Sequence, residues 1–370
     1  MKKVRVKLRG KFDSSYEIVI GRNLLKKIPA ELKKKKYGNR YAIITDSNVG
    51  KKIGKKFAGE MKGIKLACEL IVFPAGEKHK TLVTVEKLQE KMLAKGFDRK
   101  DCIIALGGGV TGDLAGFCAA TFMRGIPFVQ VPTTLLAMVD SSIGGKTGVD
   151  IKGGKNFSGA FYQPKKVFID VSLLKNLPEK ELRNGLSEVV KHAIIADERL
   201  FSFLESNVKN ILKRDEAVLE KIIAKNCAIK AEVVEKDEKE ENLRRILNFG
   251  HTIGHAIESA TGFKKFSHGE AVAIGLHAEA LVAEMVSCLS WVSGLRIRVL
   301  LEEFGLNTTL HKGISAKKIL AEMKHDKKAI GGKVKFVLPQ KIGKMISFKG
   351  DYGVEVSDKC VLEALREAAL

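Results

Sequence analysis

Short apolar runs alternate with amphipathic stretches through the first half of the chain. The runs have the length and β-branched content of buried strands, and the clearest lie at 16–20, 41–46, 69–73, 102–109, 128–134 and 166–171. Between them, apolar residues recur at helical spacing, most clearly over 81–96, where Gly96 marks a C-terminal stop. Alternating strands and helices predict an α/β domain with a largely parallel sheet over residues 1–171. The alternating segment 4–8 is expected to form a hairpin with 16–20.

After residue 172 the pattern changes to helical periodicity. Helical segments follow one another from 177 to 326, and only 333–339 has the composition of a strand. The second half, residues 172–370, is therefore expected to form an all-α domain. The cleft between the two domains is the expected place for an active site.

The composition is that of a folded protein with an excess of lysine. Of the 370 residues, 45% are hydrophobic, which suffices for about two domains with large cores. The formal net charge of +22 raises the question of a nucleic-acid partner. The lysines are dispersed, however, with one run at 33–36, and aromatic residues make up only 6%. Solvated surface lysines are the favoured interpretation, followed by attraction of an anionic substrate, and no nucleic-acid partner is expected.

The cysteines and the lack of apolar targeting segments indicate in which cellular compartment the protein is expected. The six cysteines form no CxxC pair, which argues against a disulfide framework or a cysteine-based zinc site. The N-terminal segment has no continuous apolar region typical of a signal peptide, and no apolar run approaches the roughly 20 residues of a membrane span. We therefore expect a soluble, cytoplasmic protein with no membrane partner.

A glycine-rich turn follows one of the predicted strands. Gly107, Gly109 and Gly112 have the spacing G-x-G-x-x-G at the start of a predicted helix, where glycines admit a pyrophosphate and the helix N-terminus offers N–H groups. The standard dinucleotide fingerprint opens the first βαβ unit and has an acidic residue about 20 positions later, and neither condition holds here. The sequence predicts a Rossmann-like nucleotide site of non-standard arrangement, with Asp46 and Asn48 as ribose-binding candidates.

A dense polar segment covers residues 140–156. Lys146 and Lys155 lie there among glycines and hydroxyl groups, an arrangement that suits phosphate or carboxylate binding. The tetrapeptide GGKT resembles the end of a P-loop, but Asp140 stands where that motif needs its first glycine. A P-loop is therefore excluded, and an anion-binding segment is preferred to a plain surface loop.

Histidines and carboxylates cluster in the helical half. His251 and His255 are four residues apart on one predicted helix face, His268 begins another helix, and Glu188 lies one turn before Lys191. Three His and Glu ligands with an open position describe a catalytic zinc site. The string HTIGH lacks the glutamate of the metalloprotease motif HExxH, so a metal here is expected to serve a reaction other than peptide hydrolysis.

Five long strings run through nearly the whole chain in order: LGGGVTGDLAGFCAATFMRGIPFVQVPTTLLAMVDSSIGGKTGVDIKGGKNFSGAFYQP, LPEKELRNGLSEVVKHAII, LRRILNFGHTIGHAIE, FSHGEAVAIG and MKHDKKAIGGKVKFVLP. Together they resemble the 3-dehydroquinate synthase family. The resemblance implies conversion of 3-deoxy-D-arabino-heptulosonate 7-phosphate, a phosphorylated sugar acid, to 3-dehydroquinate and phosphate in the shikimate pathway. The implied route is transient oxidation, phosphate elimination, re-reduction and intramolecular aldol cyclisation. NAD+, one divalent metal ion (Zn2+ or Co2+) and a homodimer are implied as well.

The resemblance also implies site residues, position by position. The implied metal ligands are Glu188, His251 and His268, with His255 as a supporting or proton-shuttling residue rather than a ligand. Together with the ribose candidates above, the NAD+-binding set is Asp46, Asn48, Gly76, Glu77, Lys78, His79, Lys80, Gly109, Val110, Thr111, Gly112, Asp113, Thr133, Thr134, Lys146 and Lys155. The implied catalytic residues are Asp140, Lys146, Lys191, Arg244, Asn248 and His255, and further substrate contacts are Arg124, Asn156, Lys230 and Lys327.

Two other enzyme classes share much of this architecture. One contains related sugar-phosphate cyclases of the inosose or valiolone type, and the other contains metal-dependent NAD polyol dehydrogenases. Arg244 favours a substrate with a carboxylate, because we expect one helix to present Arg244, Asn248 and His251 to the same cleft. The strings VDSSIGGKTG and KNFSGAFYQP argue against a dehydrogenase.

Overall fold

A six-stranded parallel sheet organises the first half of the protein. The computed structural model describes residues 13–263, 265–286, 288–310, 313–325, 334–348 and 350–369. The six strands are β1 (Glu17–Gly21), β2 (Tyr41–Asp46), β3 (Cys68–Phe73), β4 (Cys102–Gly107), β5 (Phe128–Pro132) and β8 (Lys166–Asp170). Their order is β1-β8-β5-β4-β2-β3, and every pairing is parallel. The predicted parallel α/β architecture is confirmed.

Helices cover both faces of this sheet. They are α1 (Ile28–Lys35), α2 (Ser47–Val49), α3 (Lys55–Gly63), α4 (Leu82–Ala94) and α5 (Gly109–Thr121). Alternate residues of β2 enter different cores: Ala42 and Ile44 belong to one apolar cluster, and Tyr41 and Ile43 to another. Burial on both faces explains why the strands appear in the sequence as continuous apolar runs.

The polar segment that follows β5 contains an antiparallel hairpin, which the sequence analysis did not predict. Its strands are β6 (Lys146–Ile151) and β7 (Gly154–Phe161), and Gly154 has a φ of 152° at the turn. The other predicted hairpin cannot be assessed in full because residues 4–8 lie outside the described residues. Its second strand, β1, pairs in parallel with β8.

The second half is mostly helical, as predicted. Its helices are α6 (Glu179–Ala196), α7 (Glu198–Leu212), α8 (Glu216–Lys236), α9 (His251–Ala260), α10 (His268–Met285), α11 (Trp291–Glu303), α12 (Ala316–His325) and α13 (Asp358–Glu367). Short strand pairs lie near the end of the chain: β9 (Lys335–Phe336) with β12 (Val354–Glu355), and β10 (Pro339–Lys341) with β11 (Lys344–Met345). In the part of the chain that the structure describes, no helix is long and apolar enough to cross a bilayer.

Candidate active site

Two neighbouring strands of the sheet end at a topological switch point. β2 lies between β3 and β4, so the carboxyl ends of β2 and β4 flank the crevice where open α/β sheets bind ligands. Asp46 ends β2 and Gly107 ends β4. Oδ1 of Asp46 accepts from the backbone N–H groups of Asn48 and Val49, and Oδ2 lies 3.5 Å from Oγ1 of Thr111. The glycine-rich turn and the predicted ribose-binding residue are therefore neighbours.

The glycine-rich turn brings bare backbone to the start of α5. That helix begins at Gly109, and its first N–H groups have no intrahelical acceptor, so they can face an anion. A Cβ at Gly107 would lie 2.3 Å from Oγ1 of Thr111, and a Cβ at Gly109 would lie 3.2 Å from Oγ of Ser141. The turn is thus closely packed at its first glycine and leaves the helix end accessible to a diphosphate.

Lys80 joins three elements at this end of the sheet. Its side chain is buried, and Nζ lies 2.5 Å from Oδ2 of Asp113 on α5. Nζ also donates to Oδ1 of Asn156 on β7 at 2.6 Å. Burial acts to lower the pKa of Lys80, but Asp113 and Glu77 outweigh it and raise the pKa above its ordinary value. Lys80 therefore remains an ammonium that ties α5 to the hairpin.

The other nucleotide candidates lie on turns at the same edge of the sheet. Residues 77–79 form a short 3-10 turn after β3, preceded by Gly76 with a φ of 113°. Thr133 and Thr134 follow β5, and the N–H of Thr133 donates to the carbonyl of Gly107 at 2.9 Å. The structure thus brings together segments that are far apart in sequence.

Glu188, His251 and His268 come together from α6, α9 and α10. One ligand atom from each lies within 4.8 Å of the others. Nε2 of His251 is 3.3 Å and Nε2 of His268 is 3.5 Å from Oε1 of Glu188. The Glu188 side chain is fully buried, and among the described residues no donor reaches Oε1 with hydrogen-bonding geometry. Two imidazoles and a buried, unsatisfied carboxylate oxygen fit a divalent transition-metal ion.

In each imidazole ring, the nitrogen that faces away from Glu188 lies near an oxygen atom. Nδ1 of His251 lies 3.2 Å from the carbonyl oxygen of Phe249, and Nδ1 of His268 lies 3.7 Å from Oε2 of Glu258. The carbonyl of Phe249 favours the His251 tautomer with its hydrogen on Nδ1, which leaves Nε2 free to bind a metal. Glu258 lies beside Nδ1 of His268 as a charge partner, beyond hydrogen-bond distance. Burial acts to raise the pKa of Glu188, but Lys191 and His251 hold it well below its ordinary value.

Close contact between α9 and α10 fixes the two histidines relative to each other. The buried carboxylate of Glu279 on α10 accepts from the N–H groups of Gly250, at 2.8 Å, and Ile253, at 3.0 Å, and so caps α9. Gly250 has a φ of 78°, and a Cβ at Gly275 would lie only 2.0 Å from the Gly250 carbonyl oxygen. Glycine is therefore needed on both sides of this contact.

A second buried group of charges adjoins the cluster. Nζ of Lys230 contacts Oδ1 of Asp140 and donates to the Asp140 carbonyl at 2.8 Å. Nε2 of His192 is 3.9 Å from the same carboxylate, and Nδ1 of His192 lies 3.1 Å from Oδ1 of Asn226. Burial and Lys191 lower the pKa of His192 to about 3, so this imidazole is neutral. The group presents fixed charges beside Glu188.

The backbone between α8 and α9 corrects one prediction. Residues 243–248 form a 3-10 helix and Gly250 is left-handed, so the expected continuous helix through Arg244, Asn248 and His251 is wrong. Arg244 is buried, and its Nη2 donates to the carbonyl of Gly144 at 3.0 Å. The 3-10 helix ends at the extended residue Phe249, and left-handed Gly250 then precedes α9, so α9 starts in a new direction.

Glu240 links two of the predicted residues. Its Oε1 accepts from Nδ2 of Asn248 at 2.6 Å, and its Oε2 contacts Nζ of Lys146. Lys191 and Glu188 form an ion pair on α6, as their spacing predicted. Glu240 therefore connects the hairpin to the 3-10 segment.

One of the predicted residues, Arg124, is not brought to this place, and another cannot be assessed. Arg124 is exposed, with a φ of 68°, and lies beyond the far end of α5, about 20 Å along the helix from the glycine-rich turn. Lys327 lies outside the described residues.

Three carboxylates that contact the candidate site residues were missed from the sequence. Glu258 follows His255 by three residues on the same helix, a spacing that would have placed both on one face. Burial acts to raise its pKa, but His268 and Lys155 lower it to about 2. Glu279 lies among mostly apolar residues of α10. A carboxylate in such a run indicates a buried charge that must be hydrogen-bonded to other groups. Glu240 lies in a run of acidic residues and gave no signal of its own.

Two solved structures that are similar to this protein over nearly the whole chain are synthases with NAD+ and a divalent metal ion bound. A 2-deoxy-scyllo-inosose synthase complexed with carbaglucose-6-phosphate, NAD+ and Co2+ superimposes with a TM-score of 0.87 and 30% identity, over 95% of this chain and 96% of that one. The 2-epi-5-epi-valiolone synthase of Streptomyces hygroscopicus, with NAD+ and Zn2+ bound, has a TM-score of 0.87 and 28% identity, with 99% of each chain covered. The fold and the Glu–His–His cluster define a protein of the sugar-phosphate cyclase class.

Sequence relatives narrow this class to one family. The 3-dehydroquinate synthase N-terminal model matches residues 70–184, and the corresponding C-terminal model matches residues 185–329. The 3-dehydroquinate synthase of Desulforamulus reducens is 45% identical over 90% of this chain and 93% of its own length. That of Dictyoglomus thermophilum is 42% identical over 99% of this chain and 98% of its own length. The chain belongs to the 3-dehydroquinate synthase family.

A more distant likeness concerns the fold alone. A probable glycerol dehydrogenase from Sinorhizobium meliloti superimposes with a TM-score of 0.68 at 16% identity, over 95% of this chain and 96% of that one. The architecture is therefore shared with polyol dehydrogenases, as the sequence analysis expected.

Proposed function

We propose that the protein converts 3-deoxy-D-arabino-heptulosonate 7-phosphate to 3-dehydroquinate and phosphate, the activity for which its family is named. The observation that carries this proposal is the Glu188, His251 and His268 cluster, which adjoins the fixed charges around Asp140 in a chain of that family. Relatives with this fold hold NAD+ together with Co2+ or Zn2+, and we propose the same pair here. Bound NAD+ supplies reversible oxidation of a substrate hydroxyl, and the divalent ion supplies Lewis acidity at its oxygens.

The protein's own cations bind and orient the substrate in this proposal. Lys191, Lys230 and Lys146 are each paired with a carboxylate, and Lys191 and Lys230 are buried. The Lys146 side chain, which contacts Glu240, is 50% exposed and so can be reached by an incoming anion. A substrate with both a phosphate and a carboxylate needs several such groups. His255, whose ring centroid lies 5.2 Å from that of His251, is the proposed proton-transfer residue.

A branched side chain at Gly109 is expected to weaken NAD+ binding. In Gly109→Val the side chain obstructs the backbone surface at the start of α5, so a diphosphate is held further from the helix N–H groups. We expect NAD+ affinity to fall at least tenfold by titration calorimetry, while the affinity for Zn2+ stays within twofold of the wild type. Unchanged NAD+ affinity would show that the dinucleotide does not bind at this turn.

Arg244→Lys is expected to lower turnover of the heptulosonate phosphate by a factor of ten or more. A lysine cannot reproduce the forked geometry of a guanidinium, and loss of one charge-assisted hydrogen bond costs roughly 1.5–3 kcal/mol. Arg245 is a matched control because it is less buried than its neighbour Arg244, and Arg245→Lys should change turnover by less than twofold. Equal small effects in steady-state kinetics would remove the case for a carboxylated substrate.

One assay distinguishes the proposed function from its alternatives. The protein is incubated with the heptulosonate phosphate, NAD+ and Zn2+, and both phosphate and 3-dehydroquinate are measured. We expect equal amounts of the two products and no net NADH absorbance, because the nucleotide is regenerated in each turnover. Net NADH would indicate a polyol dehydrogenase instead. The homodimer, the cytoplasmic location and the domain boundary at 171/172 stay predictions.

A further inference from the structure

Glu258 is a buried carboxylate whose two oxygens face different parts of the site. It lies on α9, seven residues after His251, and is 3% exposed. Oε2 is 3.7 Å from Nδ1 of His268 on α10, and Oε1 accepts from Nζ of Lys155 on β7 at 3.0 Å. A carboxylate this deeply buried is stable only if it is matched by cationic or donor groups. Its matching groups are a candidate metal ligand and a residue of the hairpin.

The arrangement around His268 repeats the one around His251 with a different oxygen atom. Each ring has Nε2 toward Glu188 and Nδ1 toward an oxygen, which is a backbone carbonyl for His251 and Glu258 for His268. The ring of His251 is held by its own chain, only two residues away. The ring of His268 lies at the first residue of α10, with 31% of its side chain exposed, and depends on a side chain from another helix.

The contact between Lys155 and Glu258 continues to the nucleotide end of the site. The next residue of β7, Asn156, accepts a hydrogen bond from Lys80, which is paired with Asp113 on α5. Two adjacent hairpin residues thus contact α9 and, through Lys80, the helix that follows the glycine-rich turn. Glu258 is the point at which this chain of contacts reaches the metal ligands.

We propose that Glu258 is a positioning residue for the metal site, a role that rests on the proposed function: it holds the His268 ring with Nε2 toward Glu188 and anchors Lys155 of the hairpin beside it. A carboxylate beside the outer nitrogen of a ligating histidine orients the ring and raises its basicity toward the metal, and at 3.7 Å Glu258 acts on His268 as a charge partner. Loss of such a group typically weakens metal affinity by about 10–100-fold.

The test measures the Kd for Zn2+ in the absence of NAD+ and substrate. Purified metal-free protein competes for the ion with a chromogenic chelator. We expect Glu258→Ala to raise the Kd about 10–100-fold. Glu258→Gln should have a smaller effect, because its amide oxygen still places partial negative charge beside Nδ1. The Co2+-loaded Glu258→Ala protein should also show shifted ligand-field absorption bands, which a purely structural role would not produce. Thermal unfolding of the metal-free proteins checks that both variants are folded.

Glu322 provides a matched control. Its Oε2 accepts from Oγ of Ser259, the residue next to Glu258 on α9, at 2.6 Å. Glu322→Ala should leave the Kd for Zn2+ within twofold of the wild type, and Lys155→Met should change it by less than threefold. If the wild type binds one Zn2+ and Glu258→Ala binds it with the same Kd, the proposed role of Glu258 is wrong, while the proposed metal site stands. Failure of the wild type to bind Zn2+ would overturn the metal site of the proposed function as well.

Discussion

His268→Ala is expected to abolish tight binding of Zn2+ and, with it, turnover of the heptulosonate phosphate. The substitution removes one of three protein ligands and leaves Glu188 and His251, which cannot fill a tetrahedral site with one open position. The loss of affinity should exceed the roughly 10–100-fold that removal of a supporting residue causes. Metal content after dialysis and steady-state turnover are the two measurements.

The fold should survive this change because the His268 side chain is 31% exposed at the start of α10. Another histidine of the same helix serves as the control. Nδ1 of His277 lies 3.1 Å from the carbonyl oxygen of Thr308, away from Glu188, and His277→Asn keeps a donor at that place. That variant should bind one Zn2+ as the wild type does. If His268→Ala retained one tightly bound Zn2+ and normal turnover, the ligand assignment would be wrong.

Gly275→Ala is expected to lower the free energy of unfolding more than the other proposed substitutions. The added Cβ would lie 2.0 Å from the carbonyl oxygen of Gly250 and 2.9 Å from the N of Gly254, both backbone atoms that cannot rotate away. The helices α9 and α10 must separate, and overpacking of this kind costs typically about 1–3 kcal/mol. Since the two helices carry His251 and His268, the Kd for Zn2+ should rise as well. Urea unfolding of the metal-free protein measures the first effect.

Gly59 is the matched control for helix propensity. It lies in α3 with no atom within 4 Å of the position that a Cβ would take. Gly59→Ala should therefore stabilise the protein, by up to about 1 kcal/mol, because alanine favours the helix and meets no obstacle. A free energy of unfolding for Gly275→Ala equal to that of the wild type would contradict the close backbone contact.

The strands of the sheet were predictable because each is buried on both faces. Continuous runs such as YAIITD and the run at 102–109 need no knowledge of their neighbours to be identified, and β2 and β4 lie where these runs lie. The hairpin of β6 and β7 was not predictable in the same way, because its burial pattern includes exposed apolar residues such as Phe157 and Phe161 among polar ones. A half-exposed hairpin rich in glycine resembles a loop in sequence.

The site was predictable where spacing within one helix decides the geometry. Glu188 and Lys191 form their pair within α6, as expected. The prediction of one continuous helix through Arg244, Asn248 and His251 was wrong because extended Phe249 and left-handed Gly250 separate the 3-10 segment from α9, while the role of Arg244 in the site stays a prediction. The partners of Glu258 and Glu279 lie on other helices, and only tertiary packing determines them.

The β6–β7 hairpin contacts both the proposed metal end and the proposed dinucleotide end of the site. Lys155 contacts Glu258 beside the candidate metal ligands, and Asn156 contacts Lys80, which is paired with Asp113 on α5, the proposed dinucleotide-binding helix. A shift of this one strand changes both contacts at once. We therefore expect binding of the metal and of the dinucleotide to be positively coupled, and by reciprocity each raises the affinity for the other by the same factor.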